Sequence, residues 1–399
     1  MAQATDIELE PAETSSVGRS VLLVTSAVHV TNDACFALLY PLLPFISADL
    51  GLSYAQVGLL KATFSGASSV LQIPAGLVGA RYGEMVVLLL GNAWVGAGLV
   101  LMALTGSFML LLAAAGLGGI GGNAQHPLAA SLVSRSVSQR QMATAMGTLN
   151  FSGDLGKLAG PFVAGVVATQ LGWRAALAVV GGFTALFSLA LLRRGRARDG
   201  ASATRGDVVD VGDDRGYSAG FRFILAGGAL DTATRGASLT FLPFVLVDKG
   251  FSAAGVSALF AVIFAAGAAG KFVCGWMTDR WGALAVIVVT ELATAFALVA
   301  IYLGPRWASI PLVALLGFML NGTSSALSVS VAQFVPPAAR ARGFGAYFTA
   351  ALVSSAVAPL AYGVLGDAAS LSVVFVVMAL MAVAVIPAVF PVRHALDPR

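Results

Sequence analysis

Twelve stretches of this chain stay apolar for about twenty residues or more, and that repetition leaves few folds open. They fall near 19–47, 54–80, 85–105, 107–133, 141–169, 173–193, 217–247, 253–278, 283–303, 308–334, 343–366 and 370–392. A soluble domain carries roughly a quarter charged residues. Here 58% of residues are hydrophobic and only 11% are charged, so the chain would expose far too much apolar surface in water. A bilayer removes that difficulty, because a helix satisfies its own backbone groups where no water is present. The pattern predicts an all-α polytopic membrane protein with twelve transmembrane helices. The 46 glycines agree, since small residues let membrane helices approach closely; Gly116, Gly118, Gly119, Gly121 and Gly122 all fall in the fourth span.

A net charge of +4 raises the question of nucleic acid, and the distribution of the charge argues against it. Arg81, Arg135, Arg140, the cluster from Arg193 to Arg198, Arg205, Arg215, Arg280, Arg340, Arg342 and Arg393 all lie in alternate connections. The opposite connections hold little beyond Arg174, Lys249 and Arg306. Such asymmetry predicts a protein of the cytoplasmic membrane with both termini inside. The N-terminus, with Asp6, Glu8, Glu10 and Glu13, lacks the basic start of a cleaved signal peptide. Cys35 and Cys274 both lie within predicted spans, so neither a disulfide nor a metal cluster is expected.

The chain repeats itself. Pro44, Phe45, Asp49, Gly51 and Ser53 are matched by Pro243, Phe244, Asp248, Gly250 and Ser252, each 199 positions on. The same offset carries Gly76, Arg81 and Gly83 onto Gly275, Arg280 and Gly282. Between the halves lies one long polar stretch with Arg194, Arg196, Arg198, Asp199, Asp207, Asp210, Asp213 and Asp214. The expected organisation is a cytoplasmic tail (1–18), a six-helix bundle (19–193), a cytoplasmic linker (194–216), a second six-helix bundle (217–393) and a short tail (394–399).

The segment from Gly76 to Gly83 and its counterpart Gly275-Trp-Met-Thr-Asp279-Arg280-Trp-Gly282 resemble the loop signature of the major facilitator superfamily. The usual acidic residue stands as Asp279 in the second half and is replaced by Ala80 in the first. The resemblance implies a gating role for Gly76, Arg81, Gly83, Gly275, Asp279, Arg280 and Gly282. Their arginines suit carboxylates or helix C-terminal carbonyls. In the fifth span, Gly156 to Gly165 resembles the glycine–proline motif of the family's exporters, with Gly160 and Pro161 expected to form a tight, bent contact with the other half. An ordinary kinked membrane helix is the other reading. His29-Val-Thr-Asn32-Asp33, followed by Tyr40-Pro41-Leu42-Leu43-Pro44, resembles the first span of the fosmidomycin-resistance branch, as Gln125-His126-Pro127 resembles its fourth. That resemblance implies proton-driven export of a small, often anionic compound.

Charges near the bilayer centre are costly, about 3 kcal/mol each on insertion scales, and so mark candidate sites. His29, Asn32 and Asp33 share one helical face with Tyr40. They read either as a proton-binding carboxylate with a neighbouring imidazole or as a polar contact between helices. Asp154 and Lys157 lie one turn apart; they either pair structurally or switch, with protonation of Asp154 freeing Lys157 for an anion. Both depart from the fosmidomycin-resistance pattern. Asp231 and Arg235 either neutralise each other or bind substrate, Arg235 being a permanent cation. Lys271 either meets Asp154 or snorkels, as Lys61 is expected to do near the outer surface. His126 bonds a carbonyl freed by Pro127 or touches substrate, Asn321 adds a polar group on the tenth span, and Glu291 reads as structural.

Two related bundles can rock about a central site. No GxxxxGK[ST] loop is present, so the expected energy source is protonation rather than ATP. The expectation is a monomeric, cofactor-free, proton-coupled antiporter exporting a small anionic or zwitterionic compound. Its other partners are protons and the lipid bilayer, with no role for nucleic acid. Coupled uptake of an organic acid is the rival within transport. Enzyme and receptor roles find no nucleophile–base set, metal cluster or appended domain.

Overall fold

The computed structural model describes residues 16–70, 72–138, 140–199, 218–336 and 339–396. Most of the expected N-terminal tail, the linker beyond Asp199 and the last three residues lie outside the described residues. Among the described residues all regular elements are helices. The first half holds α1 (Ser16–Ala37), α2 (Leu39–Leu50), α3 (Tyr54–Val70), α4 (Gln72–Tyr82) and α5 (Glu84–Ala103). It continues through α6 (Phe108–Ile120), α7 (Gln125–Ser136) and α8 (Met142–Asp199). The second half holds α9 (Phe221–Asp248), α10 (Ala253–Trp281), α11 (Ala283–Leu303), α12 (Ser309–Phe334), α13 (Arg340–Ala368) and α14 (Leu371–Val389).

Nine helical runs among the described residues are long and apolar enough to cross a membrane. One of them, α8, comprises two arms joined at Gly172, whose φ of 81° only glycine adopts readily, and so serves as the fifth and sixth spans. The α3–α4 pair and α9, made more polar by Arg222, Asp231 and Arg235, complete the twelve. The helical hydrogen bonding of the first span is interrupted at Leu38, because Pro41 has no N–H to bond the carbonyl one turn back. Before Pro127 a 3-10 turn, Gly121–Ala124, interrupts the fourth span. Pro161, where a kink is expected, keeps helical dihedrals, and within α8 only Gly172 leaves them. The sixth span also runs on to Asp199, past its expected end at 193.

The repeat is visible in the backbone. Gly51 and Gly250 have φ of 63° and 83°, and Gly83 and Gly282 have φ of 95° and 84°. Each pair keeps the 199-residue spacing, so the same two turns recur at the same places in both halves. Ser53 and Ser252, another such pair, each cap the helix that follows.

The halves meet at the end opposite the termini. There α3 packs on α13, with Gly58 against the Pro359 carbonyl and Gly363 against that of Tyr54. The Tyr54 ring stands edge-on to Phe241 and Phe244, at 6.1 and 5.4 Å. Asp367, at the end of α13, accepts from Ser53 Oγ (2.6 Å) and from the backbone N–H groups of Tyr54 (2.8 Å) and Ala55 (2.9 Å). Ser53 and Gln56 complete a capping box on the same turn. A carboxylate of one half thus caps a helix of the other. Removing a capping acceptor costs about 1 kcal/mol, roughly fivefold in a two-state population. Asp367→Ala is therefore expected to open this end more often. In a Cys35→Ser, Cys274→Ser background, Ser47→Cys would then react severalfold faster with a membrane-impermeant maleimide; unchanged labelling would show that the cap does not hold the end closed.

Candidate functional site

The site begins with glycines. Gly153, Gly156 and Gly160 line the face of α8 that meets α1. A Cβ at Gly156 would lie 2.9 Å from Val30 Cα, and one at Gly160 would lie 2.6 Å from Ala34 Cα. This close approach, open only to glycine, brings Asp33 to the face of α8 that carries Asp154 and Lys157. Gly160 was expected to face the other half; it packs within its own half, and Gly165 of the same helix makes the contact across, against Ser257. The exporter-like motif therefore serves both joints, one residue type at each.

A cavity of about 340 Å³ lies between the halves. Its wall includes Asn32, Asp33, Tyr40, His126, Asp154, Lys157, Arg235, Lys271 and Asn321. Exposure rises toward the end that bears the termini: Lys61 is 3% exposed, while the Lys157 and Lys271 side chains are 37% and 41% exposed. Water thus reaches the cavity from that end.

A chain of charges crosses it. His29 Nε2 lies 3.6 Å from Asp33 Oδ2, and the same oxygen is 3.3 Å from Lys157 Nζ. Lys157 Nζ is also 3.2 Å from Asp154 Oδ1. Asp154 in turn accepts from Lys271 Nζ with both oxygens, at 2.8 and 2.9 Å. The chain runs from α1 through α8 to α10, so Asp154–Lys271 is an ion pair between the two halves. His126 stands edge-on to His29 with ring centres 5.3 Å apart. The ligand atoms of His29, Asp33 and His126 lie within 4.8 Å of one another, a grouping that suits a metal ion. Lys157 already supplies a cation at the Asp33 oxygen facing His29, and a metal ion would have to displace or repel it.

Arg235 and Asp231 divide. Asp231 is 2% exposed, accepts from Ser324 Oγ at 2.6 Å and stands behind the cavity wall. Arg235 lines the cavity, and no ion pair joins it to Asp231 or to any other described residue. The i,i+4 spacing allowed a pair that the side chains do not form. Asn32 lines the cavity with its Nδ2 unpartnered, and Asn321 Nδ2 donates to the Gly317 carbonyl at 3.1 Å. Glu291 is 1% exposed and lies among helices rather than at the cavity.

Lys61 corrects the snorkelling expectation: it turns into the cavity instead of outward. The signal was present in the sequence, since Lys61, Ser65 and Ser68 share one helical face and all three line the cavity. In the loop signatures, Arg81, Asp279 and Arg280 are exposed, and none forms an ion pair among the described residues. The two arginines lie over neighbouring rings, Arg81 on Tyr82 and Arg280 on Trp276. Gly83 and Gly282 make the left-handed turns, Gly275 has open space around it, and Gly76 has undescribed surroundings within α4. Where Ala80 replaces the usual acid, Glu84 instead pairs with Arg135 and accepts from Ser131 Oγ at 3.1 Å.

Twelve helices in two repeated halves, with a charged cavity between them reached from one end, define a multi-pass membrane transporter. The chain belongs to the Major Facilitator Superfamily, whose family model matches residues 25–222 and 224–399. It is 27% identical to the fosmidomycin resistance protein of Escherichia coli (strain K12), over 90% of each chain. Over 36% of this chain and 35% of the relative, it is 28% identical to the probable sulfoacetate transporter SauU of Cupriavidus necator. Among solved structures it resembles a bacterial homolog of the human lysosomal transporter Spinster, in its inward-facing, unoccupied conformation. That match has a TM-score of 0.83 at 18% identity and covers 96% of this chain and 98% of that one.

Proposed function

We propose that the protein is a proton-coupled antiporter that exports a small anionic or zwitterionic compound by alternating access. The observation that carries this reading is the Asp154–Lys271 pair joining the halves, with Arg235 beside it in the cavity wall and in no ion pair. Asp33 and Asp154 are the proton-binding groups, with His29 beside Asp33. Protonation of Asp154 removes the charge that holds Lys271 and one of the two that hold Lys157, and the Lys271 ammonium then faces the cavity beside Arg235. Protonation of Asp154 thus favours binding of an acidic group, while a cationic group on a zwitterionic substrate would compete with the proton for Asp33 or Asp154, which is the requirement of antiport. Tyr40, Asn32, His126 and Asn321 supply the polar wall. Asp231 acts by positioning the Arg235 helix against Ser324.

The positive connections orient both termini, the 1–18 tail and the 194–216 linker toward the cytoplasm, so the open cavity faces inward. The bundles 19–193 and 217–393 move against each other as a monomer in the cytoplasmic membrane. A relative named for fosmidomycin resistance supports export, and one named a probable sulfoacetate transporter supports an anion.

Purified protein in liposomes, given an imposed pH gradient and a panel of labelled anions with lipophilic cations as controls, tests the reading. At least one anion is expected to move against its gradient, with loss of that uphill movement in Asp33→Asn. Flux indifferent to the pH gradient would remove proton coupling, and preference for the cations would remove the substrate class.

A further inference from the structure

We infer that the cavity holds a second anion subsite, formed by Lys61 with Ser65 and Tyr40, and that the transported compound carries acidic groups at two ends. The inference rests on the proposed transport of an anion and adds a second charge to it.

Lys61 lies on α3 in the first half and Arg235 on α9 in the second. Lys61 is only 3% exposed, in the closed end of the cavity. Its Nζ donates to Ser65 Oγ at 2.8 Å and sits 4.1 Å from the centre of the Tyr40 ring. No carboxylate reaches it among the described residues. A hydroxyl and an aromatic face offset part of the cost of removing an ammonium from water, but an isolated buried charge remains unfavourable. An anion in the cavity would complete its coordination.

The charges of the wall say how many negative groups to expect. Among the described lining residues there are four cations, Lys61, Lys157, Arg235 and Lys271, and two carboxylates, Asp33 and Asp154. The two carboxylates are already engaged with Lys157 and Lys271. The excess on the wall is two positive charges, Lys61 and Arg235, one on each half; Asp231, one turn from Arg235, lies behind the wall with its carboxylate on Ser324 Oγ. A compound with two acidic groups neutralises that excess and ties the halves together across the cavity. A compound with one acidic group leaves either the buried Lys61 or the half-buried Arg235 without an anionic partner.

Thermal-shift titration of the purified full-length protein in detergent tests this. The probes are chain-matched pairs: succinate against butyrate, glutarate against valerate, and 3-phosphonopropionate against propylphosphonate. Two-headed probes are expected to bind about tenfold more tightly than their one-headed partners, the usual scale of one added charged hydrogen bond. Lys61→Met is expected to bring that ratio down to about one, and Lys61→Arg to keep most of it. Size-exclusion profiles and the melting temperature without probe show whether the variants are folded. Equal affinity for both members of every pair in the wild type, or a ratio untouched by Lys61→Met, overturns the second subsite. If one-headed probes then still bind in a manner lost in Arg235→Met, the anion-transport reading stands and only the second charge is withdrawn. If no acidic probe binds at all, both fall together.

Discussion

Asp154→Ala is expected to abolish gradient-driven transport, by about a hundredfold or more, while leaving the protein in the membrane. Asp154 is the one carboxylate shared by Lys157 and Lys271, at 3.2 and 2.8 Å. Without it the cavity's excess rises from two positive charges to three, and Asp33 alone remains to balance Lys157. The pair with Lys271 is partly open to water, so its loss costs about 2 kcal/mol, between the values for surface and buried pairs. The effect on function exceeds the effect on stability, because the proton then has no site from which to alter the contact between halves. Asp154→Glu keeps the charge and is expected to retain part of the coupling. The measurement compares pH-driven accumulation with simple exchange, in liposomes, for whichever anion the panel shows to be transported. Exchange that survives while accumulation is lost is the expected signature. Full accumulation in Asp154→Ala, at the wild-type melting temperature, would show that the bridge is structural.

Gly160→Leu is expected to have the largest effect on folding. Even a Cβ at this position falls 2.6 Å from Ala34 Cα, and the obstacle is backbone that cannot turn aside as a side chain can. Overpacking against mobile side chains costs about 1–3 kcal/mol, and a clash with backbone stands at or above the top of that range. The larger side chain would push α1 from α8 and open the 3.3 Å contact between Asp33 and Lys157. Loss of the monodisperse peak on size exclusion, or a much lower melting temperature with no coupled transport, is the expected result. Gly147→Leu on the same helix is the control, because a Cβ there meets nothing within 4 Å. If the two variants purify and melt alike, the glycine face is not what joins the first and fifth spans.

Several features of the site were legible from spacing alone. His29 and Asp33 at i,i+4, and Asp154 and Lys157 at i,i+3, do approach each other, because one turn of helix fixes that geometry. The same argument failed for Asp231 and Arg235. Their spacing permitted a pair, but Ser324 from α12 offers Asp231 a hydroxyl, while Arg235 turns into the cavity. Lys61 was misread for a related reason. Its depth in the span suggested an easy exit to water, and depth says nothing about which side of a helix faces the cavity. Asp367 passed unnoticed, since its role depends on Ser53, Tyr54 and Ala55 being more than three hundred positions away.

The medium, the twelve crossings, the 199-residue repeat and the identity of the charges that must be sheltered from lipid can all be read along the chain. These follow from hydropathy, helical period and turn glycines, which are local properties of the chain. Which charges meet is set by helix packing. The rotation and tilt of each helix are set where small residues allow two backbones to touch, as Gly156 and Gly160 do against α1. That packing brings Asp33 to Lys157 and Asp154 to Lys271, and leaves Arg235 and Lys61 in no ion pair among the described residues.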